Sequence, residues 1–232
     1  MAVRARIGVA VALWLATCAV AGAYGEVSVL PRAQTFVVQS MLPDGKALIC
    51  AGVVVARDGE TLTVATAAHA LYGPVNALRI LDESRLGYYD VLDVRVLREY
   101  DLAFVHVRAH ANFPVAPVQF ADAVPHELVE VWGHPGSAFW QSSTGVVTNP
   151  RHLIPGESGL PRAALQCDAC GPGDAGAGVF DQQGRLVGIL TSPRRSPDGQ
   201  LLFLEVEPSA LIAQEVHAER MISARAKPPG YW

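Results

Sequence analysis

The feature that most constrains the fold of this chain is the brevity of its apolar runs. They cover residues 35–41, 48–56, 61–66, 78–81, 91–97 and 102–107, then 128–132, 143–148, 163–167, 178–181, 185–190 and 201–206. Runs of four to nine residues are too short for packed helices but suit strands that are half or wholly buried. Pro43-Asp44-Gly45 and Arg57-Asp58-Gly59 separate the first three, and both carry the residues that tight turns demand. A Pro-marked joint at residues 112–117 divides the runs into two groups of six. Only residues 208–226 read as a helix: Pro208 suits a first turn, and Leu211, Ile212, Glu215, Val216 and Met221 fall roughly on one stripe. The chain is therefore expected to be all-β, with two packed six-stranded β-barrels over about residues 30–111 and 118–207. A C-terminal α-helix and tail would follow over residues 208–232.

A composition of 50% hydrophobic and 17% charged residues excludes a disordered chain. The net charge of −4 argues against nucleic acid as a partner, since no basic stripe is present. The first 23 residues have the three parts of a secretory signal peptide. Arg4 and Arg6 are followed by an apolar run over residues 7–20 and by the small residues Ala21-Gly22-Ala23. That run is short for a spanning helix of about 20 residues, so the expectation is a secreted or periplasmic protein, with residues 24–207 as its main domain and no membrane span after leader cleavage. A retained anchor is the alternative, and Thr17 before Cys18 fits a lipoprotein box poorly. Export to an oxidising compartment leaves Cys50, Cys167 and Cys170, an odd number. Cys167 and Cys170 form a CxxC. A structural zinc site needs four ligands and no second pair exists, so either a local disulfide or two small buried residues is expected, and no metal.

Three stretches carry residues suited to chemistry. Thr66-Ala67-Ala68-His69 closes an apolar strand, Tyr100-Asp101-Leu102-Ala103 places an acid just before one, and residues 171–178 run Gly-Pro-Gly-Asp-Ala-Gly-Ala-Gly. Glycines in such a loop let backbone amides converge on one point, as an oxyanion site requires, with Gly173 and Asp174 as its candidate residues. Residues 171–176 also fit G-x-G-x-x-G, but that fingerprint must open a helix and the residues after it are strand-like, so no dinucleotide cofactor is expected. His106 and His110 lie in or beside a strand, where a spacing of four does not converge on a metal; both are expected to be solvated. His134 is expected to hold a loop, and Arg194 and Arg195 to form a solvated pair.

Taken together, these stretches resemble the trypsin-like serine proteases, specifically the exported HtrA/Deg type, from about residue 37 to residue 206. The resemblance implies a chymotrypsin-like pair of barrels, with His69 as base and Asp101 as its orienting acid. Phe180 to Ile189 is similar to the hairpin after the family's nucleophile, and Gly133-His134-Pro135-Gly136 and Gly145-Val146-Val147 to the first strands of its second barrel. No chain remains for the PDZ module that many such relatives carry. The departure is at the nucleophile, where Ala175 stands in place of serine. Alanine has no atom to attack a carbonyl, and losing the nucleophile of such a site costs about 10⁶ in turnover. The resemblance thus implies a pseudoprotease that binds a peptide or protein segment in its remnant cleft, with strand addition at the cleft edge as the expected mode. Two other readings stay open. One is a hydrolase with a displaced nucleophile (Cys170, Ser142, Ser143 or Ser158); the other is a purely structural envelope protein in which His69 and Asp101 are relics.

Overall fold

The computed structural model describes residues 29–82, 88–109, 116–137, 140–153 and 161–226. The leader over residues 1–23 lies outside them, as do His110 and Ser158. A short helix α1 (Val29–Gln34) leads into β1 (Thr35–Met41), β2 (Ala47–Asp58), β3 (Thr61–Ala67), β4 (Leu78–Leu81), β5 (Val91–Leu97) and β6 (Leu102–Arg108). The second half holds β7 (Leu128–Gly133), β8 (Gln141–His152), β9 (Arg162–Gln166), β10 (Gly178–Phe180), β11 (Leu186–Arg195) and β12 (Leu201–Pro208), and α2 (Ser209–Ala226) closes the chain. All twelve expected strands are present. The chain is nearly all-β, with the architecture of the chymotrypsin fold.

Local chemistry explains the hairpins. The β1–β2 turn closes through the Gly45 amide on the Leu42 carbonyl at 2.9 Å, with Gly45 at φ 83°. Gly59 at φ 58° does the same service between β2 and β3. The strands of the second half form a closed barrel in the order β10-β11-β12-β9-β8-β7. Those of the first half form the other expected six-stranded unit, a half-barrel in the order β4-β1-β2-β3-β6-β5. β4 is bridged to the residues just before β5, where the Tyr89 amide donates to the Ile80 carbonyl at 2.9 Å. A register shift between Val91 and Asp93 marks a bulge in β5.

Each half has its own core. Phe36, Leu62, Val64, Ile80 and Val105 fill the first, and Val131, Leu165, Val179, Leu190 and Val206 the second. A third cluster joins the halves, with Phe104 from β6 and Phe180 from β10, both wholly buried. Burying a side chain of that size stabilises by about 1.5–3 kcal/mol. Leu211, Ile212 and Val216 of α2 enter this same cluster, as the apolar stripe predicts. Met221, the last residue of the expected stripe, is exposed. Pro208 ends β12, opposite Gly188, and the helix begins one residue later, where the Ser209 hydroxyl donates to the Ala121 carbonyl at 2.6 Å.

Candidate active site

The pairing of β3 with β6 brings His69 and Asp101 together. The ladder ends at Ala67 opposite Leu102, so the turns that carry the two residues emerge side by side. His69 sits in a single 3₁₀ turn after β3. Asp101 ends another and adopts the left-handed conformation, φ 51° and ψ 34°, which Asp tolerates better than most residues. Its carbonyl accepts the Ala68 amide at 2.8 Å and its Oδ1 accepts the His69 amide at 2.9 Å. Oδ2 meets His69 Nδ1 at 2.7 Å, so Nδ1 carries the hydrogen and Nε2 is left with a lone pair. The hydrogen bond to Asp101 raises the His69 imidazole above its ordinary value, against the opposing effect of burial. Burial works to raise the Asp101 carboxyl, but the hydrogen bonds from His69 outweigh it and hold the group below the usual range. The Ser192 hydroxyl, on β11 in the other half, also donates to Oδ2, at 3.3 Å.

The glycine-rich loop is fixed by both halves of the molecule. Gly176 has φ 82°, and a Cβ there would lie 2.1 Å from the Ala51 carbonyl oxygen and 2.3 Å from Thr66 Oγ1. Only glycine permits that approach. The Ala175 carbonyl accepts the Ala51 amide of β2 at 2.9 Å, and the Gly176 amide donates to Leu190 of β11 at 2.8 Å. These bonds hold Ala175 at the seam between the halves, against the residues that pack the first core. Asp174 turns inward and is buried; its Oδ2 accepts the Gly171 amide at 2.9 Å. Burial raises its carboxyl, while hydrogen bonds from the Gly171 and His134 amides oppose the rise. The Asp174 amide itself is committed to the Gly171 carbonyl at 3.1 Å. The amides of Gly173 and Ala175 meet no acceptor among the described residues.

Two cavities meet at His69. One of about 310 Å³ is lined by His69, Gly173, Ala175, Leu190, Ser192 and Leu204, among others. The other, of about 320 Å³, is lined by His69, Asp101, Leu71, Val75, Val94 and Val96 with a few neighbours. Cys170 borders the first and is joined to Cys167 in a disulfide, so it offers no thiol. Cys50 borders it too as a free cysteine, and burial pushes its thiol up to about 11, which makes it a poor nucleophile at neutral pH. Ser142 and Ser143 pair with Trp132 and Val131 on β7 and line neither cavity. No group of three or more His, Cys, Asp or Glu able to hold a metal ion occurs among the described residues.

Three other candidate residues have structural partners. His134 is buried. Its Nδ1 accepts the Trp140 amide at 3.1 Å, which leaves Nε2 to donate to the Phe36 carbonyl at 3.3 Å, and Trp140 Nε1 donates to the Thr35 carbonyl at 2.7 Å. These bonds tie the β7–β8 connection to β1. His106, expected to be solvated, instead meets Glu219 of α2 at 3.2 Å. Arg194, expected to be one of a solvated pair, binds the buried Glu205 at 2.8 Å, which Arg162 also holds at 2.7 Å. Sequence reasoning missed this cluster and the neighbouring Glu207, wholly buried and in contact with Arg162. Burial pushes the Glu207 carboxyl up to about 7 against the pull of Arg162. Alternation along β12 puts Leu204 and Val206 in the barrel core and both acids on the other face, but nothing local marks Arg162 as their partner.

The sequence pattern of the trypsin-like peptidase domain matches residues 50–189. Among solved structures, the active form of the Rv3671c protease from M. tuberculosis is 20% identical and superposes with a TM-score of 0.67, covering 85% of each chain. An inactive form of that protease is 19% identical, with a TM-score of 0.63 over 85% of this chain and 94% of that one. The HtrA-type protease AlgW, solved with a tripeptide, is 15% identical, with a TM-score of 0.65 over 82% of this chain and 61% of that one. At such identities the likeness shows the fold. No curated protein matches the sequence.

Proposed function

Because this chain belongs to the trypsin-like peptidase domain family, we propose that it is an exported, HtrA-like member whose cleft holds a peptide or protein segment without cutting it. One observation carries the reading. The His69–Asp101 pair, the cavity beside it and the glycine-rich loop are assembled around Ala175, a residue with no nucleophilic atom. In this reading His69 and Asp101 are the base and its orienting acid, Ala175 occupies the nucleophile position, and Gly173 and Asp174 belong to the oxyanion loop. The proposal of export rests on the leader over residues 1–23, and that of a domain over residues 24–207 on the run of strands. A displaced nucleophile has little to draw on, since Cys170 is bonded to Cys167 and the Cys50 thiol stays protonated.

The test is Ala175→Ser in the purified protein with a casein substrate. Appearance of turnover, lost again when His69 is replaced, supports an intact site that lacks only the hydroxyl. The wild-type chain should show neither turnover nor labelling by a fluorophosphonate. Casein hydrolysis by the wild-type chain would sink the non-cutting reading.

A further inference from the structure

We propose that the cleft recognises the free C-terminus of a peptide: its terminal carboxylate is held by the amides of Gly173 and Ala175 beside the His69 ring, and its last side chain fills the apolar cavity. This rests on the non-cutting reading above and names the ligand class for that same cleft.

Three observations converge on an anion at this place. Gly173 and Ala175 line the cavity, and their amides have no acceptor among the described residues. Two such donors separated only by Asp174 are better satisfied by an anionic oxygen than by a neutral carbonyl. Where a serine hydroxyl would stand between donors and imidazole, Ala175 offers a methyl group, so the second carboxylate oxygen meets no competing oxygen there. The local charges also favour an anion. Asp101 is spent on His69 and Ser192, and Asp174 is turned into the protein onto the Gly171 amide. Arg195, by contrast, borders the cavity from an exposed position. The cavity walls decide the side chain: Leu48, Ile49, Leu190, Leu201 and Leu204 make them largely aliphatic. An internal peptide segment would bring only neutral carbonyls to the same donors. Backbone donors gathered in a concave loop are a known means of capturing terminal carboxylates.

The His69 imidazole, with half of its side chain accessible, faces the Asp101 carboxylate on its Nδ1 side. Across the two cavities it divides lie Arg195 on β11 and Arg98 in the turn before β6. The imidazolium would add a charge-assisted contact that vanishes when the ring loses its proton, whereas a peptide carboxylate stays ionised throughout that range.

The experiment compares two fluorescein-labelled hexapeptide pools of random sequence ending in leucine. One pool has a free carboxylate and the other a C-terminal amide, and both are read by fluorescence polarisation against the wild-type protein. The acid pool should bind about tenfold or more tightly than the amide pool. That advantage should shrink as pH rises through the His69 titration, with the amide pool unaffected. His69→Gln should remove the pH-dependent part of the advantage. Should this variant misfold, the pH titration of the wild-type protein decides alone. Equal affinity of acid and amide pools would overturn the inference while sparing the cleft reading. Absence of binding by either pool would overturn both.

Discussion

Two histidines among the described residues pair with carboxylates, and their surroundings differ. His69 meets Asp101 at 2.7 Å where β3 ends, and His106 of β6 meets Glu219 of α2 at 3.2 Å. In both, the hydrogen bond that the imidazole donates to the acid raises the ring above its ordinary value. His69 is half-exposed between two cavities and lies beside a loop with two amides that meet no acceptor among the described residues. His106 is mostly covered, and Arg95 binds both Glu219, at 3.0 Å, and Glu215 of the same helix. Every charge there is matched by another within the protein, so the cluster clamps α2 to β5 and β6. A cavity of about 530 Å³ adjoins the clamp, larger than either cavity at His69. A His–acid pair and a cavity therefore occur in both regions. The difference lies in the Gly173 and Ala175 amides, which meet no acceptor among the described residues.

This contrast breaks first on activity. In the Ala175→Ser background, adding His69→Ala should lower casein turnover by about 10⁴-fold or more, because base and nucleophile act as a unit. Adding His106→Gln to the same background should change it by less than about twofold. If the two histidines proved interchangeable in this assay, the division of labour would fail.

Stability separates the regions next. Gly176→Ala forces a Cβ onto the Ala51 carbonyl at a positive φ and should cost about 3 kcal/mol or more. Gly199→Ala, at φ 88° but with no atom within 4 Å of its Cβ, should cost only about 1–2 kcal/mol. Urea midpoints at constant m-value would report both. In the clamp, Glu219→Gln leaves Arg95 and His106 with one carboxylate fewer in a partly buried site. It should cost about 1–2 kcal/mol and leave peptide affinity unchanged. A loss of peptide binding in this variant would couple the two regions and void the comparison.

The smallest effect is the pH dependence of the clamp. The folded state raises His106, so its contribution is complete below its unfolded value of about 6.5 and is lost as pH rises through the raised folded value. For Glu219, burial works to raise the carboxyl, but the bonds from His106 and Arg95 hold it below its ordinary value. Its contribution is therefore complete above about 4.3 and fades as pH falls through the depressed value. Between those limits the clamp is strongest. Thermal melts of the wild-type protein should show a gentle fall of Tm as pH rises through the raised His106 value, and His106→Gln should make that fall shallower without abolishing it, since His69 is raised as well.

The sequence by itself determined the local elements. Period-two alternation and turn residues such as Asp44-Gly45 and Asp58-Gly59 act within a few positions, so all twelve strands and the terminal helix were legible, with the helix start displaced by one residue. The His69, Asp101 and Ala175 stretches were legible too, as motifs beside those strands. Tertiary structure alone decided whatever joins distant parts of the chain. Ser192 reaches Asp101 from 91 residues away, and Glu219 reaches His106 from 113. The pairing of Cys167 with Cys170 settled which thiol stays free. The same holds for the loop, where four amides look alike in sequence but packing commits Asp174 and Gly176 to protein acceptors, while Gly173 and Ala175 meet none among the described residues. Hydrogen-bond partners and burial are properties of surroundings assembled from both halves, and no window of sequence contains them.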